Sequence, residues 1–160
     1  MDIQIDSREK GRAIKKIIAE FDRQGVRYYI SKLWVGDYMS LDNPRLIIDR
    51  KQNLQEICSN VCQQHERFKA ELIRAQEMDI KLIILIEHSK QFKSIKDVAK
   101  WNNPRLKTNL KAITGETLSK TMKTMERKYY CEFQFTDKFH TGQRIIEILG
   151  GQKKIWNCTT

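Results

Sequence analysis

Hydrophobic and polar residues follow two different periods in the first part of the chain. Ile3 and Ile5 alternate with polar neighbours, which predicts a short opening strand. Between residues 13 and 21 the apolar positions recur at helical spacing, which predicts a helix that ends at Gly25. Extended segments are then predicted at residues 26–30, 33–40 and 46–51.

The rest of the chain alternates helices with strands. Asn53 is a favourable N-cap for a helical stretch that reaches Glu77 and breaks near residues 63–64. Residues 81–87 form an almost continuous apolar run, which is typical of a central strand covered on both faces. The remaining predicted elements are a helix at 92–101, an irregular basic segment at 105–115, a helix at 117–127, a strand at 130–135 and a helix at 141–149. This order predicts an α/β protein with a central mixed sheet flanked by helices.

The segment 32–51 is predicted to be a β-hairpin that turns at residues 42–44. Its second strand is unusual, because a buried apolar run ends in Asp49, Arg50 and Lys51. Desolvating unpaired charge costs several kcal/mol, so these charges are expected to serve a function outside the core. Side chains two residues apart on a strand share a face, which groups Asp49 with Lys51 and leaves Arg50 on the other side.

Asp37 follows Gly36 on the first strand of this hairpin, where pairing would bring it close to Asp49. Two adjacent carboxylates raise each other's pKa unless a cation lies between them, and hard oxygen ligands suit Mg²⁺ or Mn²⁺. With Lys51 beside them, the three residues match the needs of metal-assisted phosphodiester hydrolysis. The structural alternative is a turn aspartate at Asp37 and a surface ion pair between Asp49 and Lys51.

The composition of the chain indicates which class of partner it binds. The chain has 160 residues, of which 40% are hydrophobic, so one domain with a packed core is the default expectation. A net charge of +10 favours a polyanionic partner, most often nucleic acid. Residues 100–128 hold eight Lys and Arg against two Glu, a net +6, and Trp101 lies at their start. A DNA-backbone contact and a solvated helix face both fit this stretch. The candidate contacts in it are Lys107, Lys111, Lys120 and Lys123.

The N-terminus and the apolar runs of the chain indicate the compartment of the protein. The N-terminus is charged from its second residue and the longest apolar run, 82–86, is far too short to span a bilayer, so we expect a cytoplasmic protein with no membrane partner.

A zinc site could be suggested by Cys58, Cys62 and His65, but their spacing is wrong for a zinc knuckle and no second close Cys/His pair follows. Half-buried, reduced cysteines on a helix are favoured.

Three motifs, in order, resemble one nuclease family. "GDY…DRK" within 36–51 resembles the "GD…ERK" signature of XPF-type (xeroderma pigmentosum group F-like) structure-specific endonucleases. Residues 5–9 are similar to that family's "VDxRE", and 68–87 to its helix and apolar strand ending in Glu, in the style of compact phage-encoded members. The resemblance implies a restriction-endonuclease-like, PD-(D/E)xK, fold. From the length of the chain and its final glycines we expect a single nuclease domain over 1–150 and a loose tail over 151–160, without the helix-hairpin-helix module that many relatives carry.

The resemblance assigns the central roles in the site. Asp37 and Asp49 would hold the metal, helped by the backbone carbonyl of Arg50. Lys51 would position the attacking water. Asp49 replaces the glutamate usual in the family, and Gln55 stands where the family has a further acid. These two departures affect the fine positioning of the site more than the pair of metal ligands.

Further roles follow from the flanking motifs. Glu9 would be an additional acidic site residue that binds metal directly or through water, whereas a capping-box-like helix start at Asp6 and Glu9 is the structural alternative. Arg8 would contact phosphate or brace the site, and Arg67 would act similarly from its helix.

The expected function is therefore that of a Mg²⁺- or Mn²⁺-dependent endonuclease on branched, forked or recombination-intermediate DNA. If the chain is phage-encoded, it would act in the host cytoplasm. Relatives often dimerise through the nuclease domain, so a homodimer and a protein partner for targeting stay open. The alternative function is a catalytically impaired DNA-binding platform that acts with a partner. An enzyme on free nucleotides or RNA is favoured by no residue.

Overall fold

A six-stranded mixed sheet forms the centre of the fold. The structure is a computed structural model that describes residues 1–151, so the predicted loose tail lies outside the described residues apart from Gly151. The strands are β1 (Asp2–Ile5), β2 (Arg27–Ile30), β3 (Tyr38–Ser40), β4 (Asn43–Lys51), β5 (Lys81–Glu87) and β6 (Cys131–Thr136). They lie in the order β2-β1-β3-β4-β5-β6, and β3 is antiparallel to both its neighbours while the other pairs are parallel.

Helices pack on both faces of the sheet. They are α1 (Gly11–Arg23), α2 (Leu54–Cys62), α3 (His65–Glu77), α4 (Ile95–Val98), α5 (Gly115–Lys128) and α6 (Thr141–Gly150), with a 3-10 turn at Pro104–Lys107. Alternate residues of β5 enter two separate cores, because Ile84 packs with α2, α3 and α5 whereas Ile83 packs with α1 and α6. The predicted central strand and mixed sheet are confirmed. Within residues 1–151, no helix is both long and apolar enough to cross a membrane.

Three predicted boundaries are wrong. The strand predicted at 33–40 joins the sheet only from Tyr38, because residues 33–36 form a loop outside the sheet. The hairpin turns at residues 41–42 rather than 42–44, and Pro44 is tolerated because it lies near the start of β4, before the pairing with β5 begins at Leu46. The helix predicted at 92–101 is reduced to the single turn of α4.

The capping-box alternative for Asp6 and Glu9 is also wrong. Helix α1 begins at Gly11, so Glu9 precedes the helix and is free to serve the site. Asp6 is fully buried and its Oδ1 accepts the Arg8 backbone N–H at 2.8 Å, which stabilises a local turn after β1 instead of a helix end.

Gly36 makes the turn that leads into β3. Its φ is +63°, and a Cβ there would lie 2.6 Å from Ile47 Cγ2 and 2.9 Å from the Ile48 carbonyl oxygen. Only glycine fits such a backbone without strain. The next residue, Asp37, is fixed to β4 because its N–H donates to the Ile48 carbonyl at 2.7 Å.

Candidate active site

The hairpin brings Asp37 and Asp49 to the same end of the sheet. Tyr38 pairs with Ile48 in antiparallel register, so Asp37, one residue before Tyr38, lies opposite Asp49, one residue after Ile48. The Arg50 backbone N–H donates to Asp37 Oδ2 at 2.8 Å and fixes that carboxylate. Burial raises the pKa of Asp37 well above its ordinary value, and the charge of Asp49 raises it further. The two acids are therefore neighbours in a poorly solvated site.

Lys51 completes the group on the same face. Its Nζ lies 2.8 Å from Asp49 Oδ2, so the two side chains form a buried ion pair. Burial lowers the pKa of Lys51, but the interaction with Asp49 and the charges of Asp37 and Glu56 together outweigh burial, so the net pKa is raised. The ammonium also lies 5.4 Å from the centre of the Phe68 ring. Lys51 is therefore a positive charge held at one place rather than a solvated surface lysine.

Arg50 points to the opposite face, where it lies between two carboxylates. Its Nε donates to Glu9 Oε2 at 2.9 Å and its Nη1 donates to Glu87 Oε1 at 3.1 Å. The hydroxyl of Tyr38 also donates to Glu9 Oε2, at 2.7 Å. Burial lowers the pKa of Arg50, but its hydrogen bond to Glu9 and the negative charges around it together outweigh burial, so the net pKa is raised. Glu9 is thus held near Asp37, whose pKa its charge helps to raise.

Arg8 and Arg67 occupy different environments. Arg8 is bound to the buried Asp6 through both carboxylate oxygens, at 2.6 and 3.2 Å, and it donates to the Leu33 carbonyl at 3.3 Å. This geometry favours bracing over phosphate binding, although half of the Arg8 side chain remains exposed. Arg67 is exposed on α3 and lines a polar cleft that reaches Lys51, which is a favourable position for a phosphate contact.

The four lysines predicted as DNA contacts are all exposed. Two lie in the irregular segment and its 3-10 turn, and two lie three residues apart on α5, the set being Lys107, Lys111, Lys120 and Lys123. Lys120 is partly committed to Glu116, since their charged atoms are 2.9 Å apart. It also lines an apolar cleft that shares Asn60 and Phe68 with the polar cleft beside Lys51.

The sequence analysis missed Glu71, an acid of α3 that lies beside the site. Its Oε1 accepts the Gly36 backbone N–H at 3.1 Å. Burial raises the pKa of Glu71, and the charge of Asp49 adds to the shift. The available signal was its spacing, because Glu71 lies four residues after Arg67 and hence on the same face of the helix. Glu87 and Tyr38 were missed as partners of the buried Arg50–Glu9 pair.

The donor set fits a cation that keeps water in its coordination shell. Within residues 1–151, no group of three or more His, Cys, Asp or Glu side chains is arranged to hold a metal ion. Cys58, Cys62 and His65 therefore do not form such a group either. Two carboxylates remain, those of the buried Asp49 and the half-buried Asp37. Mg²⁺ is commonly held by one or two carboxylates together with water and substrate phosphate, so Asp37 and Asp49 suit it.

Comparison with known proteins assigns the family. The family model of the ERCC4 domain matches residues 5–149. The chain belongs to the ERCC4 domain family. This membership confirms the resemblance seen in the three motifs, and the central sheet with its flanking helices is the restriction-endonuclease-like fold expected from it.

Two solved structures are similar to this ERCC4-domain chain. One is XPF from Aeropyrum pernix, with a TM-score of 0.66 and 19% identity over 93% of this chain. The other is XPF from Aeropyrum pernix in complex with DNA, with a TM-score of 0.64 and 18% identity over 93% of this chain. The match spans 63% of each of those longer chains. At 18–19% identity, the likeness shows a shared fold. No curated protein sequence matches the chain significantly.

Proposed function

We propose that the chain is a DNA endonuclease that uses Mg²⁺ or Mn²⁺ to hydrolyse phosphodiester bonds at branched, forked or recombination-intermediate DNA. One observation carries the proposal: Asp37 and Asp49 lie together in a buried site, beside the fixed ammonium of Lys51. Membership of the ERCC4 domain family and the similar XPF bound to DNA support DNA as the substrate.

Each member of the group has a distinct task in this proposal. Asp37 and Asp49, with the Arg50 backbone carbonyl, would hold the metal, which when bound polarises phosphate and lowers the pKa of water. The Arg50 N–H keeps the Asp37 carboxylate pointing into the site. Lys51 places positive charge where the attacking water and the phosphate oxygens meet, and so stabilises charge that grows in the transition state.

The opposite face of the hairpin supports this group. Arg50 links Glu9 to Glu87, and Glu87 is the last residue of β5, so the ends of β4 and β5 and the segment after β1 are fixed to one another. Glu9 is proposed as a further acid of the site, acting on the metal directly or through water. Arg8 is proposed to brace the chain, and Arg67 to contact phosphate.

DNA is the proposed partner, and its backbone is expected to follow the exposed lysines of the irregular segment and of α5. The alternative, a catalytically impaired DNA-binding platform that acts with a partner, rests on Gln55 alone. A homodimer and a targeting partner remain open in this proposal, as does action in the cytoplasm.

The proposal is tested by incubating the protein with labelled linear, flap, fork and four-way DNA in Mg²⁺, Mn²⁺ or EDTA. We expect cleavage of branched forms in either metal and none in EDTA. Cleavage that persists in EDTA would contradict the metal assignment. Binding of branched DNA without cleavage in either metal would instead support the impaired platform.

A further inference from the structure

Trp34 is an exposed indole in the segment that leads into the candidate site. It belongs to residues 33–36, here called the Trp34 loop, which joins β2 to β3 and ends next to Asp37. Its side chain is 74% exposed, whereas those of Leu33 and Val35 are buried. The loop therefore anchors two apolar side chains in or against the core and directs the large one between them into solvent.

The Trp34 loop is held by side chains from other elements. Four hydrogen bonds fix it. The Leu33 N–H donates to Asp6 Oδ2 at 2.6 Å and the Gly36 N–H donates to Glu71 Oε1 at 3.1 Å, while Arg8 Nη2 donates to the Leu33 carbonyl at 3.3 Å and Arg74 Nη1 donates to the Trp34 carbonyl at 3.1 Å. A fixed backbone lowers the entropy that is lost when the indole meets a ligand. The exposure of Trp34 is thus a property of an ordered segment.

Three cations lie along the Trp34 loop, one of them near the indole. Lys32 Nζ lies 5.8 Å from the centre of the Trp34 ring, and the guanidinium groups of Arg8 and Arg74 bind carbonyls of the same loop. Protein interfaces are depleted in lysine at their centre. Aromatic side chains among cations are instead typical of surfaces that bind single-stranded nucleic acid, where bases stack on the ring and cations follow the backbone. The charge pattern around Trp34 therefore favours a nucleobase as the occupant.

We propose that Trp34 stacks on an unpaired base at a DNA branch point, next to the phosphate held at Asp37 and Asp49. The inference rests on the proposed function, and it names the feature of the substrate that the site selects: an unpaired nucleotide adjoining the scissile bond. A fully paired duplex keeps its bases inside the helix and offers no such partner. Trp34 is then a specificity-determining residue, separate from the metal ligands.

The test is DNA binding in Ca²⁺, which should occupy the metal site without supporting cleavage. The DNA panel is a linear duplex, a fork with an unpaired base at the branch, and the same fork with an abasic nucleotide there. The Trp34→Ala variant should bind the fork roughly 5- to 150-fold more weakly than the wild type, because it loses one base–aromatic stack, while its duplex binding is unchanged. Trp34→Phe should bind nearly as the wild type does. On the abasic fork, Trp34→Ala and the wild type should bind equally.

A matched control and a second readout separate this role from a structural one. Tyr130 is also an exposed aromatic residue, but it precedes β6 at the opposite end of the parallel strands, so Tyr130→Ala should leave all three affinities unchanged. Fork binding should quench the tryptophan fluorescence of the wild type more than that of Trp34→Phe, because stacking quenches the indole.

Three outcomes would overturn the inference. The first is an equal loss by Trp34→Ala on duplex and fork, and the second is a loss that persists on the abasic fork. The third is a change of oligomeric state in sedimentation with fork affinity unchanged, which would make Trp34 and the exposed Tyr29 and Ile30 of β2 a protein interface. A wild-type protein that shows the stacking signature but does not cleave forks in Mg²⁺ would contradict the proposed nuclease and not the stacking.

Discussion

Arg50 and Lys51 are consecutive residues of β4 whose charges serve opposite faces of the sheet. Arg50 is enclosed by the carboxylates of Glu9 and Glu87, while Lys51 faces Asp49 in the candidate site. A buried charge is tolerated where partners compensate it, and removing one partner is costly. The first cation is therefore structural in its immediate contacts, and the second is available to a substrate.

We expect Arg50→Met to lower the free energy of unfolding by about 3–5 kcal/mol, because it leaves two carboxylates without their buried counter-charge. Arg50→Lys should restore only part of this, since an ammonium cannot reproduce the geometry of a guanidinium between two acids. Arg45→Ala is the matched control on the same strand, because its exposed pair with Asp79 should contribute less than about 1 kcal/mol. Urea denaturation measures all three, and equal losses for Arg50→Met and Arg45→Ala would contradict the assignment.

At the scale of elements, the hairpin and the central strand were predictable, because alternation and a long apolar run are local signals. Two features were not. The Trp34 loop leaves the sheet because residues distant in sequence hold it, and the contact between Gly36 and Glu71 is one example. The start of α1 moved to Gly11 because Asp6 binds Arg8 rather than a helix N-terminus. Long-range contacts of this kind leave no periodic pattern in the sequence.

The turn at Gly36 gives a prediction at this scale. Gly36→Ala should destabilise the protein by more than the about 1–2 kcal/mol that left-handed backbone costs a residue with a side chain, because its Cβ would also overlap Ile47 and the Ile48 carbonyl. Gly25→Ala is the control, since Gly25 has a similar φ of +65° with nothing within 4 Å of an added Cβ. Thermal or urea unfolding compares the two variants. A Gly25→Ala variant as destabilised as Gly36→Ala would mean that the close contact is unimportant.

At the scale of the whole molecule, charge is distributed unevenly, and residues 100–128 carry a net +6 of the overall +10. The sequence predicted this stretch as a candidate DNA contact, and the structure leaves its four candidate lysines exposed. Family and fold were also predictable from three motifs in order. For the acid Glu71 the sequence signal was its spacing from Arg67, but its place in the site was not predictable, because only the folded chain brings α3 against the Gly36 turn.

Neutralising Lys107, Lys111, Lys120 and Lys123 to Gln should weaken binding to every DNA form alike. Each lost phosphate contact should lower the slope of log affinity against log salt by about 0.9 on duplex DNA. Lys81→Gln is the control, because Lys81 lies at the end of β5 that is far from the candidate site and pairs with Glu132. An unchanged slope in the quadruple variant would identify these lysines as a solvated face.

The central claim is that Asp37, Asp49 and Lys51 form a metal-dependent hydrolytic site, and the single-turnover cleavage rate of Lys51→Ala on forked DNA in Mg²⁺ tests it most directly. Lys51 acts on the attacking water and the transition state, so the rate should fall by about 10² or more, the effect of losing one electrostatic donor. Affinity measured in Ca²⁺ should weaken by no more than one phosphate contact, and Lys81→Ala should cleave normally. A Lys51→Ala variant that cleaves at the wild-type rate and loses only affinity would make Lys51 a phosphate anchor and contradict this mechanism.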